Sequence, residues 1–293
     1  MSSLREKRLH IRSVRNIAQV TRALQTVSAS KVRRSQAALM ATRPYAEKAL
    51  EVLDHLYGRR ASLHHPLLTP RKRAGVMLLI VVSGDRGLAG AYNPLVVRKA
   101  LAHSAEATVP VNYLVIGKRG RDMLQRKGAT IRAEFSGLPA APAYGDLSAI
   151  GRLAIEEYLA EKVDRVDIVY TAFVSMIQQR PTVRQLIPVP DILPAGDGMF
   201  VRGGRRSAEY LFEPGQSQLL DVVLHRLISL EIYECILESL TSEHASRMVM
   251  MRNASENASE MMHDLQLAYN KARQQDITAD LLDIAVGTEA LAH

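Results

Sequence analysis

Residues 216–286 contain neither glycine nor proline, and no other feature limits the fold of this chain so strongly. Globular helices average about 11 residues. An unbroken helix over this stretch would be on the order of 100 Å long at about 1.5 Å per residue, too long for a compact domain to enclose. Its apolar residues form a seam, through Leu220, Val223, Leu227, Leu230, Leu237 and Leu240. Met248, Met251, Ala258, Met262, Leu265, Tyr269 and Ala272 continue it at steps of three, four or seven. A helix with such a stripe needs a partner along its length.

The other chain end supplies one. Residues 1–57 lack glycine and hold a single proline, Pro44, which predicts a kink or a fresh start at that point. Leu4, Ile11, Val14, Ile17, Leu24 and Val27 form the expected stripe, with arginines and lysines around it. Residues 1–60 carry 13 Lys/Arg against 4 Asp/Glu, net +9, and residues 209–293 carry 5 against 14, net −9. Arms of opposite charge attract one another and help to fix their pairing. With a domain between them, antiparallel pairing is the simplest closure. The C-terminal helix is the longer, so its end, L-L-D-I-A-V-G-T-E-A-L-A-H, projects beyond its partner. An apolar tip without cover predicts a socket on another protein.

Between the arms the pattern changes. Strands are expected at 75–83, 111–116, 165–174 and 181–189, with helices at about 93–106, 118–128 and 145–162. Alternating strand and helix imply a largely parallel sheet. Segments 58–74 and 190–208, rich in Pro, Gly and Arg, read as linkers. The predicted fold class is therefore α/β plus a long antiparallel coiled coil formed by the N- and C-terminal helices. The coiled-coil arms are residues 1–57 and 209–293, and a small Rossmann-like α/β domain spans 75–190 between them.

Chemistry is hard to find in this chain. Cys235 is the only cysteine, so no internal disulfide and no cysteine metal cage is available, and a reducing cytoplasm fits. The opening M-S-S-L-R-E-K-R has no apolar core, so no signal peptide is expected, and the run V-M-L-L-I-V-V at 76–82 is too short to span a bilayer. The histidines, among them His64, His65, His225, His244 and His263, show no metal-ligand spacing. Two N-x-S triplets at Asn253 and Asn257 lie one helical turn apart and read as polar contacts, not glycosylation sites. S-G-D-R-G-L-A-G-A-Y-N at 83–93 follows a strand and opens a helix, as phosphate loops do, but has neither P-loop nor dinucleotide-fold spacing. A tight turn with Asp85 and Arg86 capping or pairing locally is the expected role. No cofactor, metal site or catalytic constellation is predicted. A basic coiled-coil adaptor that binds nucleic acid is the alternative reading, and a nucleotide-binding α/β enzyme is a further rival. Against nucleic acid stand the apolar seam, the missing aromatics and the neutralising acidic arm.

Three stretches carry a family resemblance. R-S-V-R-N-I-A-Q-V-T-R-A-L-Q-T-V-S-A-S-K-V-R-R-S-Q (12–36) resembles the opening helix of F-type ATP synthase gamma subunits. S-E-H-A-S-R-M-V-M-M-R-N-A-S-E-N-A-S-E-M (242–261) and L-Q-L-A-Y-N-K-A-R-Q-Q-D-I-T-A-D-L-L-D-I-A-V-G (265–287) resemble its C-terminal helix, and the 83–93 turn matches a third marker. R-A-L-Q-T stands where the family often has K-A-M-x-M, and Ala89 where cysteine is common. With Cys235 alone, the redox-regulated insertion of chloroplast relatives has no counterpart, which favours a bacterial source.

The resemblance implies a rotating central stalk, one copy per complex, with no catalytic residue of its own. Its partners would be the alpha and beta subunits, the epsilon subunit and the ring of c subunits. It would sit as a peripheral protein at the cytoplasmic face of the bacterial membrane, without entering the bilayer. By match to the family motif, Arg247 and Gln274 reach beta-subunit loops, with Arg273 and Thr278 nearby. Lys31, Arg33 and Arg34 would face acidic beta-subunit loops. Residues 281–293, through Leu281, Leu282, Ile284, Val286 and Leu291, would form a bearing tip in an apolar sleeve.

Overall fold

The computed structural model describes residues 4–58, 65–71, 75–190 and 215–292. Two long helices frame the chain: α1, Leu4–Gly58, and α5, Gln216–Ala292, of 77 residues. Between them run β1 (Met77–Val82), α2 (Tyr92–Glu106), β2 (Val111–Ile116), α3 (Lys118–Gln125), β3 (Ile131–Phe135), α4 (Tyr144–Leu159), β4 (Arg165–Phe173) and β5 (Gln179–Ile187). Pro44 lies inside α1, which continues through it. The chain divides into two compact units, residues 29–247 (the sheet unit) and residues 1–28 with 248–293 (the arm unit).

In the sheet unit the strand order is β3-β2-β1-β4-β5. All pairings are parallel except β4 with β5, which is antiparallel. The largely parallel sheet expected from the alternation is therefore present. β3 is an addition: its I-R-A-E-F alternates half-buried and exposed positions, as an edge strand does. Every residue of β1 is buried, which a central strand covered on both faces requires. Leu78, Ile80 and Val82 enter the core shared with α4 and α5, and Leu79 and Val81 pack with Val96, Val97, Ala100 and Leu124 of α2 and α3. Each such side chain contributes about 1.5–3 kcal/mol by leaving water.

The long helices depart from a simple apolar seam in two ways. From Leu230 to Ala245 every residue of α5 is buried except Glu238, because α1, α4 and the sheet surround that segment. On α1 the buried residues include Val14, Thr21, Ser28, Ser35 and Thr42, one every seven positions, whereas Ile17 and Val27 are exposed. Among the described side chains, half of the buried α1 positions are thus small hydroxyl residues, the rest being Ile11, Val14, Val32 and Leu39. Their hydroxyls are satisfied by their own helix: Thr21 Oγ1 donates to Ile17 O at 2.9 Å, Ser28 Oγ to Leu24 O at 2.7 Å and Ser35 Oγ to Lys31 O at 3.1 Å. In the sheet unit α1 and α5 run antiparallel, with Thr42 at Glu234 and Lys31 beside Glu243 and His244.

In the arm unit, Met251 and Ala258 of α5 are buried, and Met262, Leu265, Tyr269 and Ala272 are half-buried, the seam that the spacing predicts. Lys7 Nζ donates to Ala268 O at 3.4 Å, and the Arg8 guanidinium lies 6.0 Å from the Tyr269 ring centre. Asn253 and Asn257 are exposed. From Arg273 to Leu282 every residue is exposed.

Candidate functional site

The 83–93 turn is built from its own donors and acceptors. Gly84 N donates to Asn93 Oδ1 at 2.8 Å, and Ser83 Oγ donates to Ile116 O at 2.8 Å while accepting from Gly120 N at 2.9 Å. Asp85 accepts from Lys118 N at 3.0 Å and Gly137 N at 2.7 Å. Its carboxylate thus fills the N-terminus of α3, where an anion would otherwise bind, which supports the capping role expected of this turn. Leu88 and Gly90 take positive φ of 63° and 55°, which turns the chain sharply into α2.

The turn is fastened to α5. Arg247 Nε donates to Gly87 O at 3.2 Å and Nη2 to Arg86 O at 3.4 Å; Nη2 also pairs with Glu243 Oε1. Ser246 Oγ donates to Ala89 O at 2.8 Å, and the Tyr92 hydroxyl bonds Ser239. Gly84 has no space for a side chain, since a Cβ would lie 2.7 Å from the Glu243 carboxyl. Arg247 Nη1 donates to His244 Nδ1 at 3.3 Å. His244 is held neutral: burial, then Arg247 and Lys31, push it down to about 3. Burial also raises the Glu243 carboxyl, against the pull of Arg247.

Lys31, Asp85, Arg86, Glu243, His244 and Arg247 line one cavity of about 190 Å³. The fold thereby brings together parts of all three stretches on which the family resemblance rests. Arg247 is buried and turned inward toward the turn. The other sequence-predicted residues are not gathered there. Arg33 and Arg34 are exposed on α1. Arg273, Gln274 and Thr278 are exposed on α5, where Thr278 Oγ1 donates to Gln274 O at 2.8 Å. Leu281, Leu282 and Ile284 are 62%, 60% and 63% exposed. The side chains of Val286 and Leu291 lie outside the described residues. Glu243 and His244 are site residues that sequence reasoning missed. The Glu243-x-x-x-Arg247 spacing, one helical turn, was the available signal.

Among the described residues, no group of His, Cys, Asp and Glu could hold a metal ion, and no helix is long and apolar enough to cross a membrane.

A family profile described as ATP synthase matches residues 3–291. The chain is 41% identical to the ATP synthase gamma chain of Roseiflexus castenholzii over 298 residues, covering 100% of both chains. It is 40% identical to that of Dehalococcoides mccartyi over 295 residues, again with 100% of both covered. Among solved structures, a chain of the Euglena gracilis mitochondrial ATP synthase OSCP/F1/c-ring assembly shares the fold, with TM-score 0.64 and 20% identity. That match covers 99% of this chain and 94% of the other. A chain of the Tetrahymena thermophila ATP synthase central stalk and c-ring matches at TM-score 0.59 and 20% identity, covering 80% of this chain and 99% of its own. Family match, full-length identity and shared fold agree: the chain belongs to the ATP synthase gamma chain family, the rotating subunit of the central stalk.

Proposed function

We propose that this chain couples ion flow through a ring of c subunits to ATP synthesis and hydrolysis in an alpha/beta hexamer, as a single non-catalytic copy per complex. The observation that carries the reading is the exposed end of α5. Leu281, Leu282 and Ile284 lie bare on a helix whose preceding turn presents Arg273, Gln274 and Thr278. An apolar sleeve around the tip and polar loops around the turn below it would satisfy both. The residues matched to the family motif are proposed contacts. Arg273, Gln274 and Thr278, with Arg33 and Arg34, are available to beta-subunit loops as they stand, and half-buried Lys31 lies one turn away. Arg247 reaches such a loop by exchanging Glu243 for a partner carboxylate.

A shaft of this kind works without a catalytic group. It contacts each beta subunit differently as it turns, and shifts the equilibrium between their open and closed forms by those differential contacts. The complex is membrane-associated, and we place this chain at the cytoplasmic face of a bacterial membrane, peripheral, with an epsilon subunit as a further partner. Mixing the chain with alpha and beta subunits tests the reading: a stoichiometric complex with ATPase activity is expected. Failure to assemble would overturn it.

A further inference from the structure

The cavity between α1, the 83–93 turn and α5 has an imbalance of donors that the shaft role leaves unused. It reaches Val82 and Ile116, at the carboxyl ends of β1 and β2, where open α/β sheets take their ligands. Its two carboxylates are engaged: Asp85 receives the N–H groups of Lys118 and Gly137, and Glu243 receives Arg247. Its donors are not. Arg247 donates to His244 Nδ1, so the neutral ring carries its proton on Nε2. His244 lines the cavity and is 5% exposed, and its Nε2 is buried with no hydrogen-bond partner. A donor shielded from bulk water is costly to leave so, and only an acceptor brought inside satisfies it. Lys31, half-buried on α1, and Arg86, exposed on the turn, line the same cavity. Among the described residues, neither side chain has a hydrogen bond or an ion pair. Three cations, Lys31, Arg86 and Arg247, thus face two carboxylates. The space of about 190 Å³ is below the roughly 300–1,000 Å³ of pockets for drug-sized ligands, which suits a small ion and not a nucleotide.

We propose that this cavity binds a small tetrahedral oxyanion of the inorganic phosphate class, held by Lys31, Arg86 and the Nε2–H of His244. Phosphate presents oxygens in several directions, and these donors come from α1, the turn and α5. A carboxylate, with two coplanar oxygens, matches that spread less well. His244 supplies direction through a neutral N–H, and the two unpaired cations supply charge. Asp85 keeps the N-terminus of α3, so the site is not a phosphate loop of the strand–turn–helix kind. A bound anion joins α1 to the turn and to α5, and the sheet unit gains stability with occupancy.

The test uses the full-length chain by itself, since occupancy needs no other subunit, with ¹⁵N-labelled histidine followed by NMR. Inorganic phosphate is titrated at constant pH and ionic strength. A saturable shift of the His244 Nε2–H resonance is expected, that resonance being the one lost in His244→Asn. Lys31→Gln and Arg86→Gln should each weaken binding by at least about tenfold. Arg132→Gln, which removes an exposed cation of β3 outside the cavity, should leave it unchanged. Acetate and ATP at the same concentration should move His244 no more than chloride does. A titration that does not saturate overturns the proposal, as does one that moves the other histidines as much as His244. Equal binding of acetate or ATP overturns it, and so does an equal loss in Arg132→Gln, the mark of diffuse attraction. If His244→Asn does not fold, the Lys31 and Arg86 variants decide, and unchanged affinity in either overturns the site.

Discussion

Arg247, Glu243 and His244 show how much a single buried ion pair asks of its surroundings. Arg247→Ala leaves the Glu243 carboxyl buried without its paired cation and frees two carbonyls of the turn. A loss of about 3–5 kcal/mol in urea denaturation is expected, the range for breaking a buried pair. Glu243→Gln keeps a hydrogen-bond acceptor for Arg247 and should cost clearly less. Gly84→Ala drives a methyl into the Glu243 carboxyl at 2.7 Å, and about 1–3 kcal/mol of destabilisation should follow. His244 gives the sheet unit a pH dependence of its own. Its folded value near 3 lies below the usual 6.5, so its contribution is intact above pH 6.5 and is lost as pH falls toward 3. From pH 7 to pH 5 the wild type should lose about 2 kcal/mol relative to His244→Asn, measured by paired urea titrations.

At the scale of the element, α1 is the instructive case. Periodicity correctly marked a helix with one buried stripe, and Ile11 and Val14 lie on it. Ile17 and Val27 do not, because Thr21, Ser28, Ser35 and Thr42 keep a spacing of seven from Val14 and occupy the buried face instead. A hydrophobicity scale misses them, since their hydroxyls are satisfied by backbone carbonyls one turn back and behave as small packing groups. Ser35, fully buried, provides the check. Ser35→Ala should change stability by less than about 1 kcal/mol, whereas Ser35→Leu should cost about 1–3 kcal/mol by overpacking, both read from thermal unfolding. β3 was missed for a related reason: a short edge strand with half its side chains in water has no apolar run to announce it.

For the whole molecule, the tip and the sheet unit should be separable. Removing residues 281–293 takes away Leu281, Leu282 and Ile284, which are exposed, and touches no core residue of the sheet unit. The truncated chain should keep the main thermal transition of residues 29–247 and lose affinity or coupling with an alpha/beta hexamer. Calorimetry and ATPase-driven pumping read the two effects independently. A truncated chain with no thermal transition would contradict this separation.

Local chemistry was enough for the helices, four of the five strands, the capping turn at 83–93 and the apolar end, because each depends on residues near in sequence. Backbone hydrogen bonds, side-chain period and glycine positions act over a few residues, and so they are written in the chain directly. Tertiary structure alone decided that Arg247 turns inward and that α5 is buried from Leu230 to Ala245 at every position except Glu238. Those outcomes depend on which distant segments remove water from a side chain, and burial is a property of the packed whole.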